Sequence, residues 1–289
     1  MAATSGAKSE HLGYGAVDKG FLPAAKKFAS RNGALIGLVI LCAALACATP
    51  AFLTSVNILN VGIQAATVAI LAFGQTFVIV SAGIDLSVGA VAAISSMLVA
   101  YTGVSMGLPP VLTVVVGIAT GALFGLISGV ANAFLKLPSF IATLAMMSVA
   151  RGLTLVVSDG RPISTSGMVN FFGANILGIP MPIVMMIIMG VISAVILNFT
   201  TTGRSMYAVG GYMEASRLSG INIHKTQIMV FVLSGIFAAV AGLVIAGRLH
   251  SAQPQAATGY EMDAIASVVI GGASPVSYTH LTLPTTERV

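Results

Sequence analysis

A chain of 289 residues in which 57% are hydrophobic and only 7% charged cannot solvate a globular surface, since soluble domains carry roughly 25% charged residues. Its 32 glycines and its lack of tryptophan favour closely packed membrane helices over a β-barrel with aromatic girdles. The net charge of +5 sits at the ends of apolar runs rather than on one patch interleaved with aromatics, which argues against a nucleic-acid partner and for membrane topology.

The expected architecture is therefore all-α: a polytopic protein with about seven or more transmembrane helices. Residues 1–30 carry Lys8, Lys19, Lys26 and Lys27 with no long apolar stretch, and read as a cytoplasmic tail. The first apolar run, from Gly33 to about Phe52, is long enough for a hydrocarbon core that needs about 20 residues. Ala46-Cys47-Ala48 has the small-x-small look of a signal-peptide cleavage site, but the preceding polar region is long and further spans follow. Cys42 and Cys47, five apart, point to different sides of one helix and cannot form a staple.

Further spans are expected over 58–81, 86–104, 111–135, 139–158, 182–199 and 226–247. With the N-terminus inside, nine cations (Lys8, Lys19, Lys26, Lys27, Arg31, Lys136, Arg204, Arg217, Lys225) fall on cytoplasmic segments and two (Arg161, Arg248) on the periplasmic side, as the positive-inside rule requires. The longest connections, 159–181 and 200–225, are then candidate docking surfaces on opposite faces.

Within this framework individual residues stand out in turn. Asp85, between Gly83-Ile84 and Leu86-Ser87-Val88-Gly89, reads as a helix N-cap, or as a break that exposes helix ends and backbone to a cavity; the two are compatible. Gly117, Gly121, Gly125 and Gly129 lie along one helical stripe, a seam for close helix approach, static or moving. Arg151 lies deep in the 139–158 run, where a charge costs about 2.5–3.5 kcal/mol on insertion scales. It must face the bundle interior, either lining a path or pairing with a carboxylate or carbonyls. Gln64, Thr67, Gln75, Thr76, Ser87, Asn132 and Thr143 can bond a neutral solute's hydroxyls or simply neighbouring helices.

Glycines bracket residues 212–219, where a short helix fits, with Glu214 and Arg217 spaced to pair and Met213 and Leu218 as apolar knobs. Thr258-Gly-Tyr-Glu261 has capping-box spacing ahead of a new helix. From about Pro275 the sequence loses both apolar length and charge; this end resembles a translated sequencing adapter, so 275–289 is expected to be non-native and 31–274 an incomplete membrane domain.

Chemistry of other kinds finds no support. There is no Gly-x-x-x-x-Gly-Lys-Ser/Thr loop for a triphosphate, no cysteine–histidine set with metal spacing and no serine with triad partners; His11, His224, His250 and His280 fall in expected tails or connections. No enzyme activity and no cofactor are expected.

Four stretches carry a family resemblance: Gly83-Ile84-Asp85-Leu86-Ser87-Val88-Gly89; Phe140-Ile141-Ala142-Thr143-Leu144 with Ala150-Arg151-Gly152; Ala215-Ser216-Arg217-Leu218-Ser219-Gly220-Ile221; and Ser251-Ala252-Gln253-Pro254 followed by Gly259-Tyr260-Glu261-Met262-Asp263-Ala264-Ile265-Ala266. Over roughly 33–274 the chain resembles sugar permeases of the ribose/xylose class of bacterial ABC importers. The resemblance implies an inner-membrane permease for a neutral monosaccharide, paired as a homodimer, served by a cytoplasmic ATPase subunit and a periplasmic sugar-binding protein. It also implies that Gly210, Gly211, Glu214, Ala215, Arg217, Leu218 and Gly220 form the ATPase-coupling segment; Tyr212 departs from the asparagine usual in that family. Gln64, Gln75, Asp85, Ser87, Asn132, Thr143 and Arg151 are the candidate translocation residues. The closest rival is a permease for another polyol, hexose or signalling sugar; an ion-coupled secondary transporter is a more remote class, with Asp85 its one candidate carboxylate near a crossing.

Overall fold

A computed structural model of the chain describes residues 33–273 apart from 166 and 177; the two expected tails, 1–30 and 275–289, lie outside the described residues. The chain divides into two units, one ending at Thr54 and one beginning at Ser55. The first holds helix α1, Gly33–Ala48, which carries no charged residue; its Cys42 and Cys47 are free thiols.

In the second unit the long helices are α2 (Ser55–Val80), α3 (Val88–Val104), α4 (Pro110–Leu135), α5 (Ser139–Ser158), α7 (Met181–Phe199) and α10 (Ile223–Leu249). Short helices α6 (Met168–Phe171), α8 (Thr201–Gly211), α9 (Met213–Leu218) and α11 (Tyr260–Ile270) lie between or after them. All seven expected spans are thus helical. Five of them, α2, α4, α5, α7 and α10, are long and apolar enough to cross a bilayer, while α1 and the 17-residue α3 are shorter.

Local chemistry sets the boundaries. Prolines open three helices: Pro109-Pro110 before α4, Pro138 before α5 and Pro180 before α7, where a missing N–H costs nothing. Lys136, Asp159 and His250 close α4, α5 and α10 in left-handed geometry. Thr200 accepts from the Gly203 amide to cap α8 (3.1 Å), and Asn222 accepts from the Lys225 amide to cap α10 (2.9 Å). His224 consequently lies in the first turn of α10, not in a connection as its sequence position implied.

The core gathers around α10, whose residues from Val230 to Gly247 are mostly buried against α2, α3 and α4. Phe77 and Phe237 meet edge to face at 5.3 Å, a favoured aromatic geometry. The glycine stripe of α4 makes close contacts in this core. A Cβ at Gly121 would overlap the Gly235 carbonyl, one at Gly125 the Phe231 carbonyl, and one at Gly129 would lie 2.9 Å from the Ile228 Cα. From Gly121 to Gly129 the seam expected from sequence is a backbone-on-backbone packing of α4 on α10, while Gly117 faces the Val99 side chain of α3.

The 159–181 connection carries two-residue strands β1 (Ile163–Ser164), β2 (Asn175–Ile176) and β3 (Ile179–Pro180). Strand β1 pairs antiparallel with β4 (Ser251–Ala252), just after α10, while β2 and β3 pair with each other. The β1–β4 pairing ties this connection to the start of the 253–259 segment that leads into α11.

Candidate functional site

The break between α2 and α3 is held by side chains from α2 itself and from two other helices, α5 and α10. The chain turns at Ala82 with positive φ and has no regular secondary structure from 83 to 87, so its backbone groups need partners outside any helix. Ser139 Oγ of α5 accepts from the Ile84 amide at 3.0 Å, and Thr143 Oγ1, one turn on, accepts from the Leu86 amide at 3.1 Å. The Gln75 amide of α2, set so that both its groups are satisfied, accepts from the Asp85 N–H (3.1 Å) and donates to the Asp85 carbonyl (3.2 Å).

The Asp85 carboxylate completes the knot. Its Oδ1 accepts from the Ser87 amide (2.9 Å) and hydroxyl (2.6 Å), and its Oδ2 from the Ser234 hydroxyl of α10 (2.8 Å). Asp85 forms a turn two residues ahead of the helix cap, which is Ser87. The expected break is present. Gln75, Asp85, Ser87 and Thr143 are each at most 3% exposed, and the bonds described above join them to one another and to neighbouring helices.

Arg151 lies elsewhere. Its Nη1 donates to the carbonyls of Pro254 (3.0 Å) and Ala256 (2.9 Å), so it clasps the segment that precedes α11. Gly89 of α3 lies against the same segment, and a Cβ there would sit 2.5 Å from both the Ala257 carbonyl and Glu261 Oε2. Of the two readings open for Arg151, pairing with carbonyls is the one the geometry displays. Gln64 is exposed on α2, and Asn132 donates to the Leu137 carbonyl at the end of α4; neither joins the knot.

The capping box expected at Thr258 does not form. Gly259 takes the cap position at φ 87, Thr258 Oγ1 donates back to Gln255 O (2.8 Å), and Glu261 Oε2 is buried without a hydrogen-bond partner. The left-handed glycine turns the chain so that the threonine hydroxyl faces the preceding turn.

The segment 210–220 makes a separate surface. Gly210 is buried where a Cβ would overlap the Val80 carbonyl, so the end of α8 rests on the start of the α2–α3 break. Tyr212 leads into α9, in which Met213, Glu214, Ala215, Arg217 and Leu218 are exposed and only Ser216 is buried. Leu218 is 83% exposed. Arg217 and Glu214 pair at 3.0 Å on the surface, Gly211 is exposed, and Gly220 closes the helix at φ 82. Beside α9 runs a groove of about 720 Å³, walled by Lys136, Leu137 and Pro138 on one side and by Met213, Glu214 and Arg217 on the other.

Sequence reasoning missed Ser139 and Ser234, which complete the knot, and the Pro254 and Ala256 carbonyls. Ser139 follows Pro138 and read as an ordinary helix start; Ser234 sits in a buried run with nothing to mark its partner 149 positions away.

A family model described as the permease component of branched-chain amino acid transport systems matches residues 57–282. A ribose import permease protein of Haemophilus influenzae is 45% identical over 254 residues, 86% of this chain and 78% of that one. Its counterpart in Bacillus subtilis is 47% identical over 246 residues, 84% and 76% of the two chains. A D-allose transport system permease protein of Escherichia coli is 39% identical over 230 residues, 77% and 69%. No solved structure matches the chain.

Proposed function

The chain belongs to this permease-component family, and from that premise we propose that it forms the membrane path of an ABC importer for a neutral monosaccharide, ribose or a related pentose first. The observation that carries the reading is the 45–47% identity to two ribose import permeases over 84–86% of the chain. The scarcity of charge in the spans accords with an uncharged solute, whereas an anion would call for fixed cations along the route.

ATP hydrolysis belongs to a separate cytoplasmic subunit that captures α9, and a periplasmic protein delivers the sugar. Two copies of the chain pack together around the route, with the N-terminus on the cytoplasmic side. The cation distribution supports that orientation. The exposed apolar side chains of α9 support the docking role, because six residues with a single buried side chain gain little by packing on their own protein.

The contacts suggest how a displacement of α9 travels. Gly210, three residues before α9, abuts the Val80 carbonyl, and α10 begins five residues after α9 and carries Ser234 to Asp85. A push on α9 therefore reaches the α2–α3 break by two routes. ATP-driven closure of the ATPase pair then favours one access state among those already populated.

Reconstitution with the ATPase and binding protein tests the reading. The expected result is ATP-dependent uptake of ribose above that of arabinose, allose or leucine; uptake that persists without ATP and collapses with an ion gradient would defeat it. Paired replacement of Glu214 and Arg217 by alanine should weaken ATPase capture while leaving insertion intact, since an exposed i,i+3 pair contributes only about 0.3–0.5 kcal/mol to the fold. Unchanged ATPase binding would remove the coupling assignment.

A further inference from the structure

At the end of the molecule that carries α9, two grooves meet along one ridge of α10 formed by Lys225 and, one turn on, Met229. The first, of about 310 Å³, is the more polar of the two, lined by Thr201, Thr202, Ser205, Asn222 and Lys225 together with the apolar Ile221 and Met229. The second, of about 400 Å³, is nearly all apolar, and runs from His224 and Lys225 past Ile228 and Met229 to Val232, with Phe134 on its far wall. Among the described residues no Asp or Glu lines either groove, and Lys225 makes no ion pair.

Helix length bears on what these grooves face. Helix α10 has 27 residues, about 40 Å at 1.5 Å per residue, against a hydrocarbon core of about 30 Å. That excess leaves room for its charged first turn, with Lys225, at headgroup level and for the apolar Ile228 to Val232 at the start of the acyl region. The polar groove offers an ammonium, two threonine hydroxyls and the Asn222 NH2, which is free to donate because the side-chain oxygen is engaged by the Lys225 amide. That set suits a phosphate diester, and the apolar groove beside it suits a hydrocarbon chain.

We propose that Lys225 and the two grooves it separates hold one anionic phospholipid. Its phosphate sits against Lys225, Thr201 and Thr202, and an acyl chain lies along Ile228, Met229 and Val232. A free phosphate ion would leave the second groove unused. A zwitterionic lipid brings its own cation to a site that has no carboxylate to receive it. The assignment concerns the lipid surface of α10 and stands apart from the sugar reading.

The test is native mass spectrometry of the chain purified in a neutral detergent and titrated with phosphatidylglycerol or phosphatidylcholine of matched chains. Phosphatidylglycerol should be retained about fivefold more strongly, the factor that one basic residue contributes near an anionic surface. Lys225→Gln should bring the two lipids level and Lys225→Arg should restore the difference; the Lys225 side chain is exposed, so elution of both variants should remain that of the parent. Equal retention of the two lipids by the parent chain would overturn the proposal. So would an equal loss in Lys136→Gln, or displacement by glycerol 3-phosphate at the concentration at which short-chain phosphatidylglycerol displaces.

Discussion

Replacing Gly121 by alanine puts the close approach of α4 to α10 to a quantitative test. The new methyl would overlap the Gly235 carbonyl and lie 2.7 Å from the Ala239 Cβ, where carbon atoms prefer about 3.5–4.0 Å. The two helices must part locally by about 1 Å, and a gap of that size forfeits a quarter to a half of the contact energy along its length. Overpacking of this kind costs about 1–3 kcal/mol. Alanine's better helix propensity returns about 0.5–1 kcal/mol, so the net loss is about 1–2 kcal/mol. At about 2–4 °C per kcal/mol for a chain of this size, the melting temperature should fall by about 4 °C. Gly152, with nothing within 4 Å of an added Cβ, is the matched control, and its alanine variant should melt slightly above the parent. The readout is the fraction eluting as a single species from size exclusion in detergent after graded heating. Gly121→Ala melting at or above Gly152→Ala would refute the backbone-contact argument.

Two further outcomes follow from the polar contacts. Asp85→Ala removes the acceptor for the Ser87 amide, the Ser87 hydroxyl and the Ser234 hydroxyl, each buried donor costing about 1–3 kcal/mol when orphaned; Asp85→Asn keeps an oxygen for Ser87 and offers an NH2 that Ser234 can accept. The alanine variant should therefore melt well below the asparagine variant, and equal melting would mean that the knot does not hold the break. Arg151→Met strands the Pro254 and Ala256 carbonyls and should expose the 253–259 segment to protease at unchanged helix content; a cleavage pattern identical to the parent's would show that Arg151 does not anchor it.

The helices were legible because a bilayer demands about 20 apolar residues per crossing, and the apolar runs between Ser55 and Leu249 mark each helix to within about three residues, although α3 has only 17. The stripe from Gly117 to Gly129 was legible as a seam because only glycine leaves room for a facing backbone, though its partner was not. Short α9 was marked by the glycines around it. The site was less legible. Gln75, Asp85, Ser87 and Thr143 announce themselves as polar residues among apolar ones, but polarity alone does not say whether the partner is a solute or a neighbouring amide. The knot depends on Ser139 and Ser234, which look like any other small hydroxyl residues. The capping box failed for a similar reason: spacing is necessary for it, and the left-handed turn at Gly259 decided the matter.

The Arg151 clasp also bears on how the protein is made. The guanidinium and its two acceptor carbonyls are 103 and 105 positions apart in sequence, and ribosomes add about 5–20 residues per second. For roughly 5–20 s after α5 leaves the ribosome, its cation has no acceptor and carries the insertion penalty alone. Completion of the clasp therefore waits on synthesis of the chain past Leu249.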